Sequence, residues 1–197
     1  MGKEKYMKEI EALFAKSPVV SYDSIDKIIK NKRKVRQYAK KVIHYLLLKN
    51  RIKRLSKGYY TTRDETSLAV FAFQPAYLGL QDALSFHNLW EQEAIPIIIT
   101  TRRVRPGIRK VLGQNILIRR IDKKYFFGIQ YYLEEDLNIA LPISDIEKTL
   151  IDTIYFNQNL DEELIKAFRK RIDKKILNSY LKKYPKKIRN RVLSRLN

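Results

Sequence analysis

Residues 31–62 read NKRKVRQYAKKVIHYLLLKNRIKRLSKGYYTT, and the reading of the N-terminal part rests on them. Val35, Ala39, Val42, Ile43 and Leu46 recur at spacings of three and four. That spacing predicts one helix, capped by Asn31 and running to about Asn50, with a single apolar face. Its other face carries Arg33, Lys34, Arg36, Gln37, Lys40, Lys41 and His44. Next, 51–55 and 59–62 alternate around Ser56-Lys57-Gly58, the pattern of a β-hairpin with a glycine turn.

Upstream, residues 5–15 read as a helix with Tyr6, Ile10, Leu13 and Phe14 on one side, stopped by Ser17-Pro18. Val19-Val20 is a short extended piece. Ser21 can cap a second helix to Lys30 that buries Ile25, Ile28 and Ile29. Three helices followed by a hairpin with a basic tip is the order of a winged helix-turn-helix. A major groove admits one α-helix, whose N-terminal part meets base edges. Arg33, Lys34, Arg36 and Gln37 stand at that end. Arginine can pair with guanine and glutamine with adenine, while Lys40 and Lys41 suit phosphate. Arg54 and Lys57 sit on the wing, which suits backbone or minor-groove contact. A winged helix used only for docking a protein is the competing reading.

Charge separates the chain into parts. Its 197 residues hold 41 Lys+Arg against 21 Asp+Glu, a net +20. Residues 1–62 carry 17 basic and 5 acidic side chains, 63–163 carry 11 and 15, and 164–197 carry 13 and 1. Within 27–57 there are 13 basic residues and no acidic one. A solvated face ordinarily mixes both signs, so this window points to a polyanion, first of all nucleic acid. With no cysteine and only His44 and His87, disulfide scaffolds, thiol catalysis and Cys/His zinc sites are ruled out. No apolar run reaches the ~20 residues of a membrane span, and the N-terminus lacks a signal-peptide core. The expectation is a cytoplasmic, nucleoid-associated protein.

Composition and pattern shift near 61–66, placing a winged-helix domain at 1–63 and a second domain at 64–197. The fold class expected is α+β, a winged helix-turn-helix followed by a mixed α/β domain ending in basic helices. In the second domain 68–73, 76–78, 95–101, 115–121, 125–133 and 137–141 favour strand, and 80–90 a helix after Gly79. Ser144-Asp145-Ile146-Glu147 reads as a capping box, opening a helix with Ile146, Leu150, Ile151 and Ile154 inward. From Asp161 onward the pattern is helical, with Leu164, Ile165, Phe168, Ile176, Leu177 and Leu181 inward. Arg169, Lys170, Arg171, Lys174, Lys175, Lys186, Lys187 and Arg189 face outward, as a solubilising surface or a second cationic one. Deleting 185–197 is expected to leave the core folded.

Three segments together resemble the AbiEi family of antitoxin-type transcriptional regulators. The wing, 51–62, is similar to the family's basic strand, glycine turn and aromatic strand. Residues 76–89, AYLGLQDALSFHNL, resemble its strand leading into an "S-A-L-x-x-H-G-L" helix. Residues 143–152, ISDIEKTLID, resemble its "P-E-K-T-L-L-D" helix. The order agrees over roughly 5–160. Asp82 stands where Ser is usual, Asn88 where Gly is usual, and Asp145-Ile146 where a Pro-type start is common. The resemblance implies a repressor of its own operon, bound to double-stranded DNA at inverted repeats. It also implies neutralisation of a co-encoded nucleotidyltransferase-like toxin without a stable complex.

No enzyme, cofactor or metal is expected. Asp82, Ser85 and His87 lie close in sequence, but their spacing on one helix does not form a nucleophile–base–orienter line. Asp145, Glu147, Lys148 and Asp152 supply the residue types of a metal nuclease, yet Glu147 and Lys148 point apart, and acids suit a helix N-terminus. The Arg102-Arg103-Val104-Arg105-Pro106-Gly107 turn is cationic but no P-loop, and could touch nucleic-acid backbone. A toxin-directed interaction protein and an RNA-binding or nucleolytic factor remain the other function classes.

Overall fold

The apolar stripes of the N-terminal sequence become a small three-helix core. In the computed structural model, which describes residues 6–30, 38–89, 95–134 and 138–196, α1 is Met7–Lys16, β1 Val20–Ser21, α2 Tyr22–Lys30 and α3 Tyr38–Leu48. The hairpin is β2, Lys53–Ser56, and β3, Tyr59–Thr61. β3 is central in a three-stranded sheet of order β1-β3-β2, pairing antiparallel with both neighbours. Tyr6, Ile10, Ile25, Ile29, Ala39, Val42, Ile43 and Leu46 are buried together. Ser21 caps α2 as its position predicts, accepting from Ser24 N at 3.1 Å. Gly58 turns the hairpin at φ +82°, a conformation that costs glycine little. This is a winged-helix arrangement.

The chain divides into two compact units: Met1–Ala72 with Lys110–Gln114, and Phe73–Arg109 with Asn115–Asn197. The strands of the second part are β4, Ala76–Leu78; β5, Ile97–Thr100; β6, Gly107–Val111; β7, Gln114–Arg120; β8, Ile129–Glu134; and β9, Ile139–Ser144. They form one mixed sheet of order β6-β7-β5-β4-β9-β8. β4 runs antiparallel to β5 and parallel to β9, while β5 runs parallel to β7. The α+β class expected from the sequence is the observed one.

The helices are α4, Gln81–Phe86; α5, Ile146–Tyr155; α6, Glu162–Arg171; α7, Lys174–Leu181; and α8, Lys186–Leu196. Residues 147–154 of α5 are buried without interruption, so this helix is wrapped rather than laid on a surface. Leu150, Ile151 and Ile154 meet Phe168, Leu177, Leu181 and Val192 in one core. Burying a side chain such as Phe168 completely contributes about 2–3 kcal/mol before its entropy cost. Tyr125 and Tyr184 stack with ring centroids 4.2 Å apart.

Helix ends follow a simple chemistry. Asp145, Asp161 and Asp173 cap α5, α6 and α7 with their side chains. At the other ends Asn50, Asn88 and Asn157 adopt φ of 51°, 53° and 54° just past α3, α4 and α5. Leu89 N then donates to Leu84 O at 2.8 Å and Asn88 N to Ser85 O at 3.0 Å, a Schellman closure. Arg51 and Gln158 close α3 and α5 in the same way, on Leu46 O and Thr153 O at 2.9 Å each.

Several sequence expectations are corrected. Residues 68–73 are not a strand but lie within a 3-10 helix, Thr66–Phe73. The helix expected over 80–90 stops at Phe86, because Asn88 turns left-handed. Strand β6 begins at Gly107, directly after the cationic turn, where none was expected. The strand expected from Tyr125 starts only at Ile129, after a 3-10 turn over Lys123–Tyr125. The cap of α5 is Asp145 and not Ser144, whose hydroxyl pairs with Thr149 Oγ1 at 2.8 Å. Ile176 is 41% exposed rather than inward. Finally, 185–197 is no dispensable tail: Val192 is 0% exposed and belongs to the core around α5. Among the described residues no helix is long and apolar enough to cross a membrane.

Candidate nucleic-acid interface

The winged-helix unit presents a cleft of about 670 Å³ between α3 and the hairpin. Its walls include Lys40 and His44 from α3, Arg54 from β2, Lys57 from the turn, and Tyr59 from β3. Burial of Ala39, Val42, Ile43 and Leu46 fixes the rotation of α3, so Lys40, Lys41 and His44 are left in water. The hairpin is held in place from its far side. Val20 pairs with Tyr60, and Tyr22 N donates to Gly58 O at 2.7 Å. This draws Tyr22 and Asp23, at the start of α2, into the same cleft.

Of the site residues expected from sequence, Lys40, Arg54 and Lys57 converge on this cleft. Lys41 is exposed on α3 but does not line it. Arg33, Lys34, Arg36 and Gln37 lie outside the described residues. Tyr22, Asp23 and Tyr59 are additions; Tyr59 carried a signal in the hairpin's aromatic strand, whereas Asp23 carried none. Among the described residues Lys40, Lys41, Arg54 and Lys57 form no ion pair. The cations at the hairpin's root differ: Arg51 meets Glu11 at 3.4 Å, and Lys53 pairs with Asp64. Lys40, Arg54 and Lys57 thus bring positive charge without an ion pair among the described residues to a cleft that one acid, Asp23, also lines.

The acidic and basic residues of α5 are arranged in the opposite manner. Lys148 is 0% exposed and pairs with Asp152, one helical turn on. Its ammonium also reaches Tyr184 Oη at 3.2 Å and lies within 5.5 Å of the Tyr77 and Phe127 ring centres. Tyr77 Oη donates to Asp152 Oδ2 at 2.6 Å, and Tyr180 Oη to Asp145 Oδ2 at 2.7 Å. Burial pushes the Lys148 ammonium below its ordinary range, with the Asp152 carboxylate opposing. Burial raises Asp152 in turn, with Lys148 and the Tyr77 hydrogen bond opposing. Glu147 accepts from Asp173 N at 2.7 Å. Asp145, Glu147 and Asp152 are therefore each committed to a separate partner. Among the described residues no three His, Asp or Glu side chains gather as a metal site. Gly128 permits the close approach of this segment: a side chain there would fall 2.8 Å from Lys148 Cβ.

His87 and Asp82 are also placed. His87 is 7% exposed, with Nε2 2.7 Å from Ser144 O, so it joins the end of α4 to the end of β9. Asp82 has its Oδ2 buried with no partner among the described residues. Burial raises its carboxyl to about 7, against a lowering backbone hydrogen bond from Ile97.

No protein-family model matches this chain. No curated protein matches its sequence. Among solved structures it is similar to that of the RV2827C protein from Mycobacterium tuberculosis, at 12% sequence identity. The TM-score is 0.64, covering 97% of this chain and 75% of that one. At that identity the likeness shows a common α+β fold alone.

Proposed function

We propose that the chain is a sequence-specific DNA-binding transcriptional regulator that represses its own operon. The observation that carries this reading is the convergence of Lys40, Arg54 and Lys57 on one cleft of a winged helix without ion pairs among the described residues. A winged helix kept only for protein docking has no need of such a concentration of free cations. Arg33, Lys34, Arg36 and Gln37, at the sequence position where a recognition helix begins, are the proposed base readers. The two other segments of the AbiEi resemblance, 76–89 and 143–152, supply Tyr77, Leu84, Leu150 and Ile151 to the core of the second unit. On the AbiEi resemblance, the second unit would carry any activity against a nucleotidyltransferase-like toxin.

The test is a footprint of the full chain on the DNA upstream of its own gene, followed by salt titration. Lys57→Ala is expected to weaken all sequences alike and to flatten the slope of log K against log salt by about 0.9, one phosphate's share. Arg36→Ala is expected to cost about 1–3 kcal/mol on the protected site and little on random DNA. No footprint, together with a flat salt dependence, would leave protein docking as the use of the winged helix.

A further inference from the structure

The near-neutral total of residues 63–163 conceals a separation of charge. Within 102–124 there are nine Lys+Arg and one acid, Asp122. The rest of 63–163 holds two basic residues, Arg63 and Lys148, and fourteen acids. Six of the nine cations are arginines. We propose that the end of the six-stranded sheet from which β5 and β7 emerge is a second phosphate-binding surface, built to take a nucleic-acid backbone. It stands beside the winged-helix reading and does not require it.

The topology brings the cations to one place. β5 and β7 run parallel with Thr100 opposite Arg120, and Ile121 N donates to Thr100 O at 3.0 Å. The loop after β5 and the turn after β7 therefore leave the sheet at the same end. Arg103, Arg105, Arg120 and Lys123 are exposed there, and among the described residues none is ion-paired. Other groups hold the backbone for them. Thr100 Oγ1 lies 2.8 Å from Phe73 O and 2.9 Å from Pro75 O, and accepts from Arg102 N at 3.1 Å. Val104 N donates to Arg102 O at 2.8 Å, which tightens the loop. Arg109 donates to Arg105 O at 2.8 Å while lying 5.6 Å from the Phe73 ring centre. Asp122, the one acid, accepts from Lys124 N at 3.1 Å and sits 3.7 Å from the Lys124 ammonium. The cations are thus presented on a fixed frame, which reduces the ordering cost of binding.

Chemistry selects the partner. Arginine forks match phosphate oxygens two at a time. A row of exposed cations fits a polymer with repeated phosphates, whereas a single small anion is held in a concave pocket. Adsorption to a membrane surface by more than charge draws on an apolar face beside the basic one. Here Ile108 is the one large exposed apolar side chain among the described residues of 102–124.

The experiment uses the full chain and the triple variant Arg103→Gln/Arg105→Gln/Lys123→Gln, beside Arg54→Gln/Lys57→Gln on the wing. The probes are a random duplex of about 40 base pairs and vesicles containing phosphatidylserine. All three loop positions are exposed, so the thermal transition of the triple variant should match the parent. Expected is a salt slope flatter by about two to three and duplex binding weaker by about tenfold or more. That loss should appear whether or not the wing variant has an effect, which separates this proposal from the winged-helix one. Parental duplex affinity and slope in the triple variant would overturn it. So would a loss confined to the vesicles, which would assign the surface to lipid.

Discussion

Lys57 and Lys148 are the same side chain put to opposite uses. Lys57 stands on the wing in water and forms no ion pair among the described residues, although Asp23 lines the same cleft. Lys148 is sealed in the second unit against Asp152, Tyr77, Phe127 and Tyr184. The first costs the folded state little and leaves its charge available. The second has lost its hydration and is tolerable only because every contact around it compensates. A cationic surplus of +20 is therefore not one property. Charge left unpaired on a fixed frame is available to a partner, and charge that is enclosed serves architecture.

The hardest blow to this contrast is at Lys148. Lys148→Met should destabilise the second unit by about 3–5 kcal/mol in urea unfolding, because it strands the Asp152 carboxylate. Adding Asp152→Leu should recover most of the loss. Lys57→Ala should stay within about 0.5 kcal/mol. Equal losses at the two lysines would erase the distinction.

Asp82 sharpens it, as a carboxylate whose Oδ2 is buried with no partner among the described residues. Its folded carboxyl holds its proton to about 7, while the unfolded chain releases it near the ordinary 3.8. Folding therefore takes up a proton between these limits, and Asp82's contribution to stability falls as pH rises through them. Asp82→Asn should gain about 1–3 kcal/mol on the parent between pH 5 and pH 8, read from chemical denaturation at each pH. A constant difference would mean that water or a cation reaches the carboxylate. The smallest effect is at the wing. Gly58→Ala meets only Tyr22 Cβ, 3.8 Å away, so its cost is backbone strain at φ +82°. About 1 kcal/mol should be lost from the first unit's thermal transition.

Much of the first unit was legible because its stripes are clean: Ile25, Ile29, Ala39, Val42, Ile43 and Leu46 all went inward as spaced. The helix stops were legible in principle, since asparagine tolerates the left-handed turn at Asn50, Asn88 and Asn157. Segment 68–73 misled because a continuous apolar run has no period to separate strand from helix. Strand β6 was hidden by inverted polarity, with Ile108 facing water and Arg109 lying over Phe73. The Lys40, Arg54 and Lys57 cleft was foreseeable from order and charge. The entry of Tyr22 and Asp23 was not, because it depends on the Tyr22 N to Gly58 O bond between residues far apart in sequence. The burial of Lys148 contradicts the usual placement of charge outside, and only the four-residue spacing to Asp152 hinted at it.

The bond from Tyr22 N to Gly58 O also makes the wing a lever rather than a flap. The hairpin tip is fastened to the first residue of α2, and β1 ties its central strand at Val20 and Ser21. A load on Lys57 would reach the N-terminus of α2 through this amide and through the β1 pairing beside it. That amide is a built-in strain gauge: its hydrogen exchange should slow when the wing is clamped from outside and quicken when the turn is loosened by Gly58→Ala.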